Sequence, residues 1–131
     1  IAKYMHGAVI PICEKYLLSF FKACLRAELH ADNDEILALL RVVAEEGGLY
    51  ATHPRNEGDG VIESRRESIR LAKEAGVPLC ASHLKAAGRD NWGKPKLLLA
   101  DLERAAQDGL KVLIDCYPYD AGCTALNVSI P

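Results

Sequence analysis

From residue 32 onward the chain switches between two hydrophobic rhythms. Apolar residues spaced three to four apart predict amphipathic helices, and short apolar runs between polar loops predict strands. Ile36, Leu37, Leu40 and Val43 share one helical face. Asp32-Asn33-Asp34-Glu35 before them offers an N-cap and capping box, so a helix is expected from about residue 32 to Glu46, stopped by Gly47-Gly48. Leu49 to His53 reads as a short strand, and Pro54 to Gly60 as a loop. The same order follows twice more. A helix over about 61–75 closes at Gly76, Val77 to His83 forms a strand, and Leu84 to Gly93 a loop. Pro95 then opens a helix with Leu98, Leu102 and Ala105 on its inner face; Gly109 ends it, Leu110 to Cys116 is a strand, and Tyr117 to Cys123 a loop. A separate amphipathic helix is expected over 12–28, with Cys13, Tyr16, Leu17, Phe20, Cys24 and Leu25 on one face.

Helix and strand alternating at this spacing imply a parallel sheet with helical crossovers, as in an open doubly wound sheet or a stretch of a (β/α)8 barrel. In both architectures sites form at the carboxyl ends of the strands. His53 and His83 occupy equivalent strand ends in consecutive repeats. If their strands are neighbours, the two imidazoles converge, and a zinc ion takes such nitrogens at ~2.0–2.1 Å. Counting back by two puts Ala51 and Leu49 on the face of His53, and Ala81 and Leu79 on the face of His83. That leaves Tyr50, Thr52, Cys80 and Ser82 toward the helices, and predicts that Cys80 and Cys116 are buried, reduced and unligated. Asp115, with Leu113 and Tyr117 on its face, is either a third ligand or a supporting carboxylate. Lys85, two residues past His83, can hold a substrate carboxylate as a point charge. Arg55, Glu57, Asp59 and Arg89 read as solvated loop charges, and His6 and His30 as surface residues.

Composition narrows the partners. The 131 residues carry 16 Lys plus Arg against 18 Asp plus Glu, a net charge of −2, with half of the residues apolar. Near-neutral charge argues against nucleic acid or an anionic membrane, and no apolar run approaches the ~20 residues of a membrane span. Five irregularly spaced cysteines form no disulfide framework, so reduced thiols and a cytoplasmic location are expected. The chain begins with Ile1 and ends at Pro131 after an apolar stretch, and reads as a piece of something longer.

Three motifs are more specific than the periodicity. Tyr50-Ala51-Thr52-His53-Pro54-Arg55-Asn56-Glu57-Gly58-Asp59 resembles the Y-A-T-H-x-R-N-E-G-D segment of the D-aminoacylases, the N-acyl-D-amino-acid deacylases of the amidohydrolase superfamily. Ser82-His83-Leu84-Lys85-Ala86 and Asn91-Trp92-Gly93-Lys94 are similar to the family's S-H-L-K-A and N-W-G-K, and Asp115 to Gly122 to its D-x-Y-P-Y-x-A stretch. The resemblance covers about residues 31–126.

The resemblance implies an α/β fold: strands five to seven of a metal-dependent (β/α)8 amidohydrolase barrel, with residues 1–30 an extra N-terminal helical segment and 31–131 the partial barrel. A whole barrel needs ~250 residues, so about three eighths is present. It implies zinc as cofactor, held by His53 and His83, and an N-acyl-D-amino acid as substrate, its carboxylate met by Lys85 and Tyr117. Cys123 falls where the family often has a substrate-contacting serine. The family's H-x-H pair and bridging cysteine are missing, and its eighth-strand aspartate would lie beyond Pro131. The isolated chain is therefore expected to be inactive. It is also expected to self-associate through open strand edges and an uncovered face carrying Leu49, Leu79 and Leu113. The rival expectations are a non-catalytic truncated α/β domain and a fragment of an amidohydrolase acting on cyclic amides.

Overall fold

The computed structural model describes residues 31–119 and 121. The helix expected over 12–28, the N-terminal segment 1–30 and Cys123 lie outside the described residues. Within them the order is α1 (Asn33–Glu45), β1 (Tyr50–Thr52), α2 (Val61–Ala75), β2 (Leu79–Ala81), a 3-10 turn (Arg89–Asn91), α3 (Pro95–Gln107) and β3 (Val112–Ile114). The three strands form one parallel sheet in the order β1-β2-β3. The helix–strand alternation of the sequence is thus realised, with strands shorter than their apolar runs.

The helix ends follow local chemistry. Asp32 caps α1, its Oδ1 accepting the Glu35 N–H at 2.9 Å. Glycine is obligatory after α1: a Cβ on Gly48 would stand 2.6 Å from Val43 Cγ1. Gly76 closes α2 in the left-handed region at φ 71°, where a Cβ is strained. Pro95 stands at the start of α3, where its missing N–H costs nothing.

One face of the sheet carries the core. Tyr50, Leu79 and Ala81 are buried with Ile36, Leu37 and Leu40 of α1, Leu71 and Ala72 of α2, and Leu102 and Ala105 of α3. The register pairs Tyr50 with Leu79, Ala51 with Cys80 and Leu113, and Thr52 with Ala81. Partners in a parallel sheet share a face, so Ala51, Cys80 and Leu113 lie together on the side away from the helices.

This corrects the expected facing of β2. Leu79 and Ala81 point into the helical core, and Cys80 is on the open face, half-buried. Counting back by two from His83 fails because His83 is not in extended backbone: its φ is 37°. One left-handed residue breaks the alternation, and an error of one residue reverses every facing. Leu79 therefore adds nothing to an uncovered apolar surface. Cys116 is also corrected, being exposed rather than buried. Both are free thiols.

Candidate metal centre

The strand ends converge as their repeat positions require. His53 follows β1 and His83 follows β2, with ring centroids 4.4 Å apart. His53 Nδ1 faces His83 Nε2 directly. His53 is exposed and His83 half-buried. Burial holds the His83 pKa below the ordinary imidazole value, against the opposing pull of Glu57, with His53 adding to the lowering.

Two clamps hold His83 in its left-handed conformation, which costs a side chain with a Cβ about 1–2 kcal/mol. Its N–H donates to Asp115 Oδ1 at 2.6 Å. On the other side, buried Arg65 of α2 donates to the Ser82 carbonyl at 3.2 Å. The next N–H, of Leu84, reaches the Asp115 carbonyl at 2.9 Å. Asp115 is thus occupied as a support. Its second oxygen accepts from Cys80 Sγ at 3.6 Å. Burial, and then the Asp115 charge, push the Cys80 thiol up to about 11.

Glu57 is the residue that sequence reading undervalued. It is not a solvated loop charge: Oε1 lies 2.9 Å from His83 Nδ1, and Oε2 pairs with Lys85 Nζ. Partial burial works to lower the Lys85 pKa, but the Glu57 ion pair and the neighbouring Tyr117 phenol outweigh it and raise it. Lys85 and Tyr117 are therefore brought together beside the histidine pair. Asp59 is likewise structural, accepting from buried Asn91 Nδ2 at 3.1 Å and, through its carbonyl, from Lys94 Nζ at 2.7 Å. Arg55 bridges Glu67 of α2 at 3.0 Å and the Ala31 carbonyl at 2.8 Å. Asn56 Oδ1 folds the loop by accepting the N–H groups of Gly58 and Gly60. The signal available in the sequence was position: Glu57 lies four residues past His53 in the same short loop.

The donor chemistry suits zinc, which takes neutral imidazole nitrogens. Two such nitrogens meet here, but no group of three or more His, Cys, Asp or Glu among the described residues is arranged to hold a metal. The fit is to part of a site. A groove of about 520 Å³ lies elsewhere, on the outer surface between α2 and α3, where Arg66–Asp101 and Lys73–Asp108 pair across it.

A parallel βα segment with its polar residues gathered at the strand ends matches part of an amidohydrolase domain. Sequence comparison gives the particular relatives. A D-aminoacylase of Alcaligenes xylosoxydans xylosoxydans is 38% identical over 97 residues, 74% of this chain and 20% of that protein. The crystal structure of an N-acyl-D-glutamate deacylase from Bordetella bronchiseptica, complexed with zinc and a phosphonate mimic of the tetrahedral intermediate, superimposes with a TM-score of 0.66. It is 37% identical and covers 68% of this chain and 19% of that one. A D-aminoacylase crystal structure gives 0.66 and 40% identity, over 71% and 19%. No protein-family profile matches the chain. Over about three quarters of its length the chain is a homologue of the D-aminoacylases, and it spans about one fifth of the length of these curated relatives.

Proposed function

We propose that this chain is the portion of an N-acyl-D-amino-acid deacylase barrel, strands five to seven, that supplies two metal ligands and the grip on the substrate's carboxylate. The observation that carries the reading is the meeting of His53 Nδ1 and His83 Nε2 at neighbouring strand ends. These two nitrogens would hold zinc, which when bound polarises an acyl carbonyl and activates water. Lys85 would bind the D-amino-acid carboxylate as a point charge, with the Tyr117 phenol as a hydrogen-bond donor beside it. Glu57 balances the lysine charge until a carboxylate arrives. Cys123 would stand near the same carboxylate in place of the family's serine.

A catalytic zinc takes three protein ligands and a water. With two imidazoles the chain would bind zinc weakly and have no appreciable deacylase activity alone. In the described sheet β1 and β3 are both edge strands, and open edges template pairing with another chain, so self-association belongs to the same reading. The free thiols fit a reducing compartment, the cytoplasm. Among the described residues no helix is long and apolar enough to cross a membrane.

The test is equilibrium dialysis against zinc with the full chain, His53→Ala and His83→Ala, beside an assay on N-acetyl-D-amino acids. Weak zinc uptake, lost in either variant, is expected, with hydrolysis at background. Uptake unchanged by both substitutions overturns the ligand assignment. Zinc-dependent turnover that disappears in His53→Ala overturns the inactivity of the isolated chain.

A further inference from the structure

The motif Asn91-Trp92-Gly93-Lys94 has no part in the function proposed above, yet Asn91 and Lys94 both reach across to the loop that follows β1. Asn91 is buried, 4% exposed, at the end of the 3-10 turn after β2. Its Nδ2 donates to Asp59 Oδ1 at 3.1 Å and to the Ala87 carbonyl at 2.7 Å. Ala87 in turn donates its N–H to the Glu57 carbonyl at 2.6 Å. These contacts close a ring through Glu57, Asp59, Asn91 and Ala87 that ties the two loops together. We infer that Asn91 is a positioning residue: its amide latches the loop over 84–94 onto the loop over 54–60, and so holds Lys85, two residues before Ala87, beside the histidine pair. The carboxylate consequence rests on the function proposed above; the latch does not.

The two donors of the amide carry the reading. An ionised carboxylate and a backbone carbonyl only accept, so the Asn91 NH2 group spends both of its hydrogens on them, and an oxygen in its place would face two acceptors. Burial makes the loss of such a donor costly, because it strands the acceptors it served. The backbone is shaped for the contact. Gly88 stands at φ 87°, where a residue with a Cβ is strained, and its carbonyl accepts the Asn91 N–H at 3.1 Å. Lys94 Nζ adds an exposed tie to the Asp59 carbonyl at 2.7 Å. Asn56, by contrast, folds the loop over 54–60 upon itself. The His83 backbone is held separately, by Asp115 and Arg65, so the latch acts on Lys85 and not on the strand end.

The test is amide hydrogen exchange at pH 7, followed residue by residue by NMR on the 15N-labelled full chain. The Ala87 N–H reports the junction between the loops, and the Leu79 N–H, bonded to the Lys111 carbonyl at 2.9 Å, reports the sheet. Ala87 is expected to be protected in the wild type. Asn91→Asp keeps the size of the side chain but removes both donors, and should speed Ala87 exchange roughly 10–100-fold with Leu79 unchanged. Asp59→Asn keeps an acceptor for Asn91 and should leave Ala87 protected. An unprotected Ala87 in the wild type overturns the inference whether or not any variant folds. So does protection that survives Asn91→Asp, which would mean that Asn91 only fills space, or an equal rise at Leu79, which would make Asn91 part of the core. In parallel, N-acetyl-D-alanine titrated into the wild type should shift the Lys85 amide signal, and Asn91→Asp should abolish that shift. If the wild type shows no shift, the carboxylate reading fails while the exchange measurement still decides the latch.

Discussion

One small sheet joins a helix-packed core face to a polar cluster at the carboxyl ends of its strands. On the helix side, Leu79 and Ala81 are fully buried among apolar residues of all three helices, and each contact duplicates others. At the carboxyl end, His53, His83, Glu57, Lys85 and Asp115 are exposed or half-buried, and each polar group has one or two particular partners. The first region is held by burial, which is non-directional and tolerant of detail. The second is held by directional bonds between three loops, so its geometry depends on single atoms. Stability should therefore reside in the first region and ligand geometry in the second.

Leu79→Ala is the most damaging test of that division. Removing a fully buried leucine from the central strand should cost about 2–5 kcal/mol, a large part of a small domain's total stability. His53→Ala, at an exposed position, should change stability by no more than about 0.5 kcal/mol while abolishing zinc uptake. Denaturant titration of both variants separates them. Equal destabilisation would mean that the histidine end is part of the core after all.

Cys80 sharpens the contrast from the open face. With its thiol pushed up to about 11 from an ordinary value of 9.0, its thiolate fraction at neutral pH falls on the order of a hundredfold. In chains keeping a single thiol, Cys80 should label slowly at pH 7 and faster with each step in pH toward about 11. Exposed Cys116 should label readily. The folded chain holds the Cys80 proton more tightly than the unfolded chain does. That contribution to stability is complete below about 9 and is lost as pH rises through about 11. Rapid Cys80 labelling at pH 7 would show that the thiol is not held protonated by its burial and by Asp115.

The two regions also differ in what the sequence discloses. Every helix on the core side was legible, because a stripe such as Ile36, Leu37 and Leu40, a cap such as Asp32 and a stop such as Gly76 are local signals. The pairing of His53 with His83 was legible for a related reason: equal positions in consecutive repeats become neighbours in a parallel sheet. The facing of Leu79 and Cys80 was not. It turns on one backbone angle at His83, which is set by Asp115 and Arg65, residues distant in sequence. Glu57 was hidden because a charged residue in a Gly-rich loop reads as solvated until the loop carrying Lys85 is folded against it.

Asp115→Ala tests the clamp itself. The bond from the His83 N–H to a carboxylate belongs to the charge-assisted class, worth about 1.5–3 kcal/mol, and half-exposure places it at the low end. The expected result is a loss of about 1.5 kcal/mol, with faster amide exchange at His83 and Leu84 and little change in α1. Exchange that rises uniformly across the chain would mean that Asp115 supports the core and not the site.

The smallest effect isolates the strain at His83. Glycine adopts φ 37° without penalty, whereas a residue with a Cβ pays about 1–2 kcal/mol there. Part of that advantage is returned because glycine loses more backbone entropy on folding. His83→Gly should accordingly be more stable than His83→Ala by about 1 kcal/mol, although both lack the imidazole and neither should take up zinc through this position. The comparison cancels the lost ring contacts, since both variants remove the same side chain beyond Cβ. Thermal denaturation of the two variants side by side measures the difference. An alanine variant as stable as the glycine one would show that the backbone relaxes out of the left-handed region once the ring is gone. The conformation would then be imposed by the side chain's own surroundings, and not by the clamps at Asp115 and Arg65.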